Sequence, residues 1–282
     1  MIPSAFDYAS PVSVAQAVGL LGERSLLLSG GTWAVPAMNR GEARPAIVVD
    51  LRRAGLNRIT LSGGTVRIGT TCTYADLLAS DVVARHLPLL RAMAAGITGG
   101  QQILNQGTLG GSVAAARPSS DALAVMVALG GRAVVAGADG ERRVKARDFF
   151  RGPRRTALGD RDLLVALEFP TAAGLRSGYV KLKHGQSSWP ITTAAVLLGP
   201  LDGQGQAMVV LGALAGTPVV VDGIRADSPV TEVELATRQA VDSVSDLWTD
   251  VLAPAGYRAA VAPILAVRAW RKAAVPAEGR RS

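Results

Sequence analysis

Helical and strand-like spacings of apolar residues alternate along the chain. Val14, Ala17, Val18 and Leu21 fall on one helix face, with Ser13 in the N-cap position. Leu26, Leu27 and Leu28, flanked by Ser25 and Ser29, form a continuous run typical of a buried strand. Gly30-Gly31-Thr32 breaks it. Trp33 to Asn39 returns to a short helical piece, closed by Gly41. Ala46 to Leu51 is a second buried strand. This strand–turn–helix–strand order predicts a small α/β unit over residues 1–55.

Beyond Leu56 the pattern changes. Asn57 to Leu61 and Thr65 to Gly69, joined by Ser62-Gly63-Gly64, read as a hairpin. Thr73 with Asp76 three positions on marks a helix start that feeds Leu77, Leu78 and Val82. Pro88 opens another helix through Leu89, Leu90 and Met93. Gly96 to Ser112 is rich in small and polar residues and reads as a loop. Asp121 to Leu129 is helical, capped by Ser119 or Ser120. Ala133 to Val135 and Leu163 to Leu167 are strands, and Pro170 closes a unit spanning 56–170. After the small residues Thr171 to Gly174, a last unit over 171–282 holds strands at Gly178 to Leu182, Thr192 to Leu198, Ala207 to Ala213 and Val219 to Val221. Two helices follow, the second running through Ala260, Ile264, Val267 and Trp270.

Composition narrows what such a chain can do. With 49% hydrophobic and 18% charged residues over 282 positions, it is globular rather than disordered. Apolar stretches such as Asp121 to Leu129 fall far short of the roughly 20 residues that cross a bilayer, so no membrane span is expected. Met1 to Asp7 lacks the basic-then-apolar pattern of a signal peptide, and a cytoplasmic location is the expectation. The single cysteine, Cys72, excludes an internal disulfide and an iron–sulfur cluster held by this chain alone. His86 and His184 add too little for a zinc site, so no metal is expected and any redox chemistry falls to an organic cofactor. The net charge of +8 comes from dispersed basic residues, and aromatics are only 4%. That excludes a nucleic-acid partner and leaves a solvated basic surface or a face for an acidic partner. Asp160, Asp162, Glu168, Arg154 and Arg155 read as a solvated loop, and no catalytic side chain is assigned.

Two glycine-rich turns carry the chemistry: Leu28-Ser29-Gly30-Gly31-Thr32-Trp33 and Gly107-Thr108-Leu109-Gly110-Gly111-Ser112. Each can present successive backbone N–H groups to a phosphate, and glycine admits both positive φ and close approach of the anion. Thr32, Thr108 and Ser112 add hydroxyls. Either turn alone reads more readily as an ordinary tight turn than as a ligand cradle, and neither matches the dinucleotide or P-loop fingerprint.

As an ordered pair with Pro118 and Asp121, the turns resemble the FAD domain of the molybdenum hydroxylases, as in xanthine dehydrogenase and the medium subunit of aerobic carbon monoxide dehydrogenase. Val49-Asp50-Leu51, Ile68-Gly69-Thr70 with Thr73 to Leu77, Phe149 to Pro153 and Tyr179-Val180-Lys181 extend the likeness along nearly the whole chain. The resemblance implies an α+β fold: a two-subdomain PCMH-type FAD-binding domain followed by a C-terminal α/β subdomain with a small antiparallel sheet. It implies FAD held by Leu28, Ser29, Gly30, Gly31, Thr32 and Trp33 from one side and by Thr108, Gly110, Gly111 and Ser112 from the other. Asp121 would accept from a sugar hydroxyl, and Lys181 would sit near the flavin. Partners would be a molybdopterin-binding large subunit and a [2Fe-2S] small subunit in a hetero-oligomer, with Gly96 to Asn105 at their interface. The chain departs from the family pattern at Trp33, Ala34, Leu104 and His184 to Trp189. A self-contained flavin oxidase and a flavin-free scaffold of the same fold are the other readings; covalent flavin attachment at Cys72 or His86 finds no support in their surroundings.

Overall fold

In the computed structural model, which describes residues 2–171, 174–201 and 204–275, the first segment forms a three-stranded parallel sheet. β1 (Asp7–Ala9) and β2 (Ser25–Leu28) both pair with β3 (Ile47–Asp50), which lies between them. Parallel neighbours require crossovers; these are α1 (Val14–Gly19), capped by Ser13 through the Gln16 N–H, and α2 (Ala34–Asn39). β1 is too short and polar for its spacing to announce it.

The hairpin of β4 (Ile59–Ser62) and β5 (Thr65–Gly69) leads into six short helices: α3 (Tyr74–Ala79), α4 (Asp81–His86), α5 (Pro88–Ala95), α6 (Gly100–Gln106), α7 (Leu109–Ala115) and α8 (Asp121–Ala128). Thr73 and Asp76 form the expected capping box on α3. Then follow β6 (Arg132–Gly137), β7 (Gly140–Lys145), α9 (Ala146–Phe149), the ribbon of β8 (Phe150–Gly152) and β9 (Arg155–Thr156), and β10 (Leu163–Pro170). The sheet order is β4-β5-β10-β6-β7, antiparallel throughout.

Two expectations are corrected in this segment. Gly96 to Ser112 is not a loop but α6 and the start of α7. Glycine sits about 1 kcal/mol below alanine in helix propensity, which hides α7 from a composition reading. A Cβ on Gly110 would lie 1.9 Å from Thr70 Oγ1, so close packing selects glycine there and the helix forms despite it. Nor are Asp162 and Glu168 loosely solvated. Glu168 on β10 holds Arg67 and Arg143, each at 2.8 Å, and Asp162 holds Arg142 at 2.8 Å. The unanticipated strand β7 supplies Arg142 and Arg143.

The last sheet, β11 (Arg176–Leu182), β12 (Thr192–Leu201), β13 (Gln204–Gly212) and β14 (Val219–Val221), is antiparallel in that order. α10 (Val230–Asp242) and α11 (Ala255–Ala274) pack against it. The buried stripe of α11 runs through Arg258, Ala262, Leu265, Ala266, Ala269, Trp270 and Ala273, while Ile264 is half exposed. Backbone proximity explains the alanines: a Cβ on Gly178 would lie 1.9 Å from Ala269 O. The fold is thus α+β, with small separate sheets whose cores are shared. Tyr179, Ala195, Leu197 and Val210 join the core beneath α5 and α8, and Ala17, Leu21 and Val49 pack with Val134, Leu163 and Val165.

Candidate cofactor-binding site

Folding brings the two glycine turns into contact. Ser29 Oγ donates to Thr108 Oγ1 at 3.2 Å, and a Cβ on Gly30 would lie 1.8 Å from Gln106 O. They flank a cleft of about 300 Å³. One wall is Ser29 to Ala34; the other is Thr108, Gly110 to Ser112, Ala114, Ala115 and Arg117. Leu26, Leu27, Leu51, Leu158, Leu163 and Leu164 give it apolar surface, and Thr70, Ser120 and Trp189 complete the lining. Leu28 lines an adjoining cleft that shares Ser29, Gly30, Gly31 and Thr108 with the first.

The turns differ in what they offer. Among the described residues, no backbone carbonyl accepts from the N–H groups of Gly30, Gly31, Thr32 or Trp33; Val35 N–H to Gly31 O is the first backbone bond after β2. Gly31 takes φ +67°, open to glycine at little strain. Successive unspent donors around a concave turn form an anion cradle. The second turn is more self-contained. Thr108 Oγ1 accepts from the Gly111 N–H at 3.1 Å, the Ser112 N–H goes to Thr108 O, and the Leu109 N–H goes to Cys72 O. Gly107, Gly110 and Gly111 do not take positive φ. Their shared need is space: added Cβ atoms would crowd Ile103 O, Thr70 and Thr108 Oγ1 respectively. Ser112 Oγ, facing the cleft, is bonded to the buried Tyr74 hydroxyl at 2.6 Å.

Asp121 and Lys181 lie behind this lining rather than in it. Lys181 Nζ donates to Asp121 Oδ2 at 2.9 Å and to Gly96 O at 3.1 Å, and the Tyr179 hydroxyl donates to Asp121 Oδ1 at 2.6 Å. Burial pushes the Asp121 carboxyl up against the lowering pull of Lys181 and Tyr179. The neighbouring Ser120, which caps α8 by accepting from the Ala122 N–H, does reach the cleft. Thr70, Arg117 and Trp189 are lining residues that the motifs missed. Arg117 stands beside Pro118 in the quoted motif and Trp189 in the divergent stretch, but only the fold brings them together. Cys72 is fully buried, its thiol pushed up to about 11 by burial, with Asp76 adding to the effect. His184 is exposed, its Nε2 2.5 Å from Leu252 O.

Residues 4–172 match the family described as the FAD binding domain in molybdopterin dehydrogenase. The chain belongs to this family. It is 34% identical to the carbon monoxide dehydrogenase medium chain of Afipia carboxidovorans, over 97% of this chain and 98% of that one. It is 31% identical to the putative xanthine dehydrogenase FAD-binding subunit of Escherichia coli, over 64% of this chain and 63% of that one. Among solved structures, the carbon monoxide dehydrogenase of Hydrogenophaga pseudoflava that lacks the Mo-pyranopterin moiety superposes with a TM-score of 0.89 at 31% identity, covering 97% of this chain and 98% of the other. This member of the molybdopterin dehydrogenase FAD family is therefore an FAD-binding subunit of a molybdenum-hydroxylase-type oxidoreductase, and FAD is its cofactor. The unspent N–H groups of the first turn suit the cofactor's diphosphate, and the leucine-lined surface suits its flat rings. No helix among the described residues is long and apolar enough to cross a membrane.

Proposed function

We propose that this chain is the electron-relay subunit of a heteromeric molybdenum hydroxylase. It takes electrons from a partner [2Fe-2S] subunit and passes them to an external acceptor, while a molybdopterin-binding subunit oxidises the substrate. FAD supplies the redox chemistry; the residues of this chain bind it, orient it and set its surroundings. The observation that carries the reading is the turn at Gly30 to Trp33, whose N–H groups have no backbone acceptor, opening on a cleft whose lining includes no carboxylate, histidine or cysteine. Such a site holds a diphosphate cofactor but offers no acid–base group for a substrate of its own.

In this reading Ser29 to Trp33 hold the diphosphate from one side and Thr108, Gly110, Gly111 and Ser112 from the other, with Leu28 on the adjoining face. Asp121 and Lys181 act as a neutralised pair behind the cofactor. The cleft forms between subdomains 1–55 and 56–170, with 171–282 closing its end through Trp189. α6 buries none of its residues, which supports Gly96 to Asn105 as a surface for the iron–sulfur partner. The complex would be cytoplasmic. Purification of the native assembly tests this: iron–sulfur and molybdopterin chains should accompany this one, and the isolated chain should bind FAD without oxidising hydroxylase-type substrates. Substrate oxidation by the isolated, molybdenum-free chain would establish a self-contained oxidase instead.

A further inference from the structure

The lining of the main cleft contains one charged side chain, Arg117, and two indoles, Trp33 and Trp189. The guanidinium lies 5.9 Å from the Trp33 ring centroid and 4.7 Å from that of Trp189. Both are cation–π distances. Trp33 immediately follows the unspent N–H groups of the first turn, Arg117 follows α7, and Trp189 lies between β11 and β12. Two separate parts of the chain thus converge on the guanidinium of a third.

The charge of Arg117 is not consumed by a carboxylate. Among the described residues it makes no ion pair and no side-chain hydrogen bond, whereas Arg40 is paired with Glu42 and Arg52 with Asp50. Its surroundings disfavour a positive charge: burial lowers its proton affinity, Arg154 and Arg40 lower it further, and Glu42 offsets this only in part. A half-buried cation facing a cleft, crowded by like charges and stacked against aromatic faces, calls for an anion. Arginine suits one with several oxygens, because its planar fork donates two parallel hydrogen bonds while its face stays free to stack.

We infer that Arg117 is the cation that neutralises the diphosphate of FAD, presented to it between Trp33 and Trp189. This rests on the reading of the cleft as the FAD site, and it adds a residue that the glycine motifs do not contain. The diphosphate carries about two negative charges; a backbone cradle supplies dipoles, and Arg117 supplies the formal charge.

The test compares FAD with riboflavin, which has the same ring but no phosphate, on the full chain stripped of flavin. Arg117→Met should weaken FAD binding about 10- to 100-fold and leave riboflavin binding unchanged. The fall in FAD affinity with rising salt should be shallower in the variant than in the wild type, and Arg117→Lys should recover part of the loss. An unchanged thermal midpoint without flavin shows that Arg117→Met folds. If that midpoint drops, the within-variant ratio of FAD to riboflavin affinity still decides, because misfolding lowers both together. A ratio unchanged from the wild type, whatever the midpoint, would overturn the assignment. Unchanged affinities with faster flavin entry and exit would overturn it in favour of a mere strap across the cleft. A wild-type chain that binds no FAD would instead defeat the reading of the cleft itself.

Discussion

The glycines of the two turns do different work, which a motif alone cannot reveal. Gly31 needs positive φ, Gly30 makes room for Gln106, and Gly110 makes room for Thr70. Valine at Gly110 should therefore lower stability even without flavin, by about 1–3 kcal/mol from overpacking, because the obstructing atoms include Thr70 backbone. At Gly111 the obstruction is the Thr108 hydroxyl, 2.7 Å away, which can swing at the cost of its cap. Gly111→Ala should hold its flavin-free melting temperature more closely and report on FAD through occupancy. Equal flavin-free melting temperatures for Gly110→Val and wild type would refute the packing account. Residue types at the site were legible because glycine and hydroxyl clusters are conspicuous. Their reasons were not, since Thr70 and Gln106 are brought close only by the fold. Arg117 and Trp189 were illegible as a pair for the same cause: their contact depends on tertiary structure rather than on spacing.

Among elements, those with a periodic apolar face or a side-chain cap could be read directly: the β4–β5 hairpin, the Thr73–Asp76 box on α3, and α8 behind Ser120. α7 escaped behind its glycines despite the Thr108 cap; the others that escaped lack such a face. α6 buries nothing, β7 is Gly-Glu-Arg-Arg-Val-Lys, and β1 is three residues long. β1 nevertheless anchors β3. The Tyr8 hydroxyl donates to Asp50 Oδ2 at 2.6 Å, and Asp50 accepts the Arg52 N–H and guanidinium. Burial pushes the Asp50 carboxyl up, but the bonds from Arg52 and Tyr8 outweigh it and hold the group at about 2. A carboxyl depressed in the folded state stabilises the fold above its unfolded pKa, near 4, and loses that contribution as pH falls towards 2. Tyr8→Phe removes one of the bonds. Its stability deficit should be full at pH 5 to 7 and shrink between pH 4 and 2, as followed by melting temperature. A deficit constant through that window would show that the hydroxyl does not act through Asp50.

At the scale of the molecule, the segments around the cleft are joined by buried polar contacts as well as by shared cores. Asp121 on α8 and Lys181 on β11 are a pair with side chains 8% and 6% exposed. Asp121→Ala would leave Lys181 without its counter-ion and should cost about 3–5 kcal/mol, measured by denaturant unfolding. The double variant Asp121→Ala with Lys181→Met should recover most of that. If FAD affinity stays down 10- to 100-fold once stability is restored, Asp121 also serves the cofactor; if both recover, its role is the pair alone. No recovery in the double variant would contradict the pairing account. The arrangement of the cores has a consequence for synthesis. β2 needs β3 as its neighbour, and the core that Ala17 and Leu21 share with Val49 and Leu51 is completed by Val134, Ala136, Leu163 and Val165. At about 5–20 residues per second, the ribosome delivers those partners roughly 5 to 25 seconds after the first turn has emerged. The end of the cleft waits longer still, for Trp189 and for the strands whose Tyr179 and Ala195 complete the largest core. The nascent chain therefore carries its FAD motif with no complete pocket until the strands beyond Trp189 have emerged, and cofactor loading waits for them.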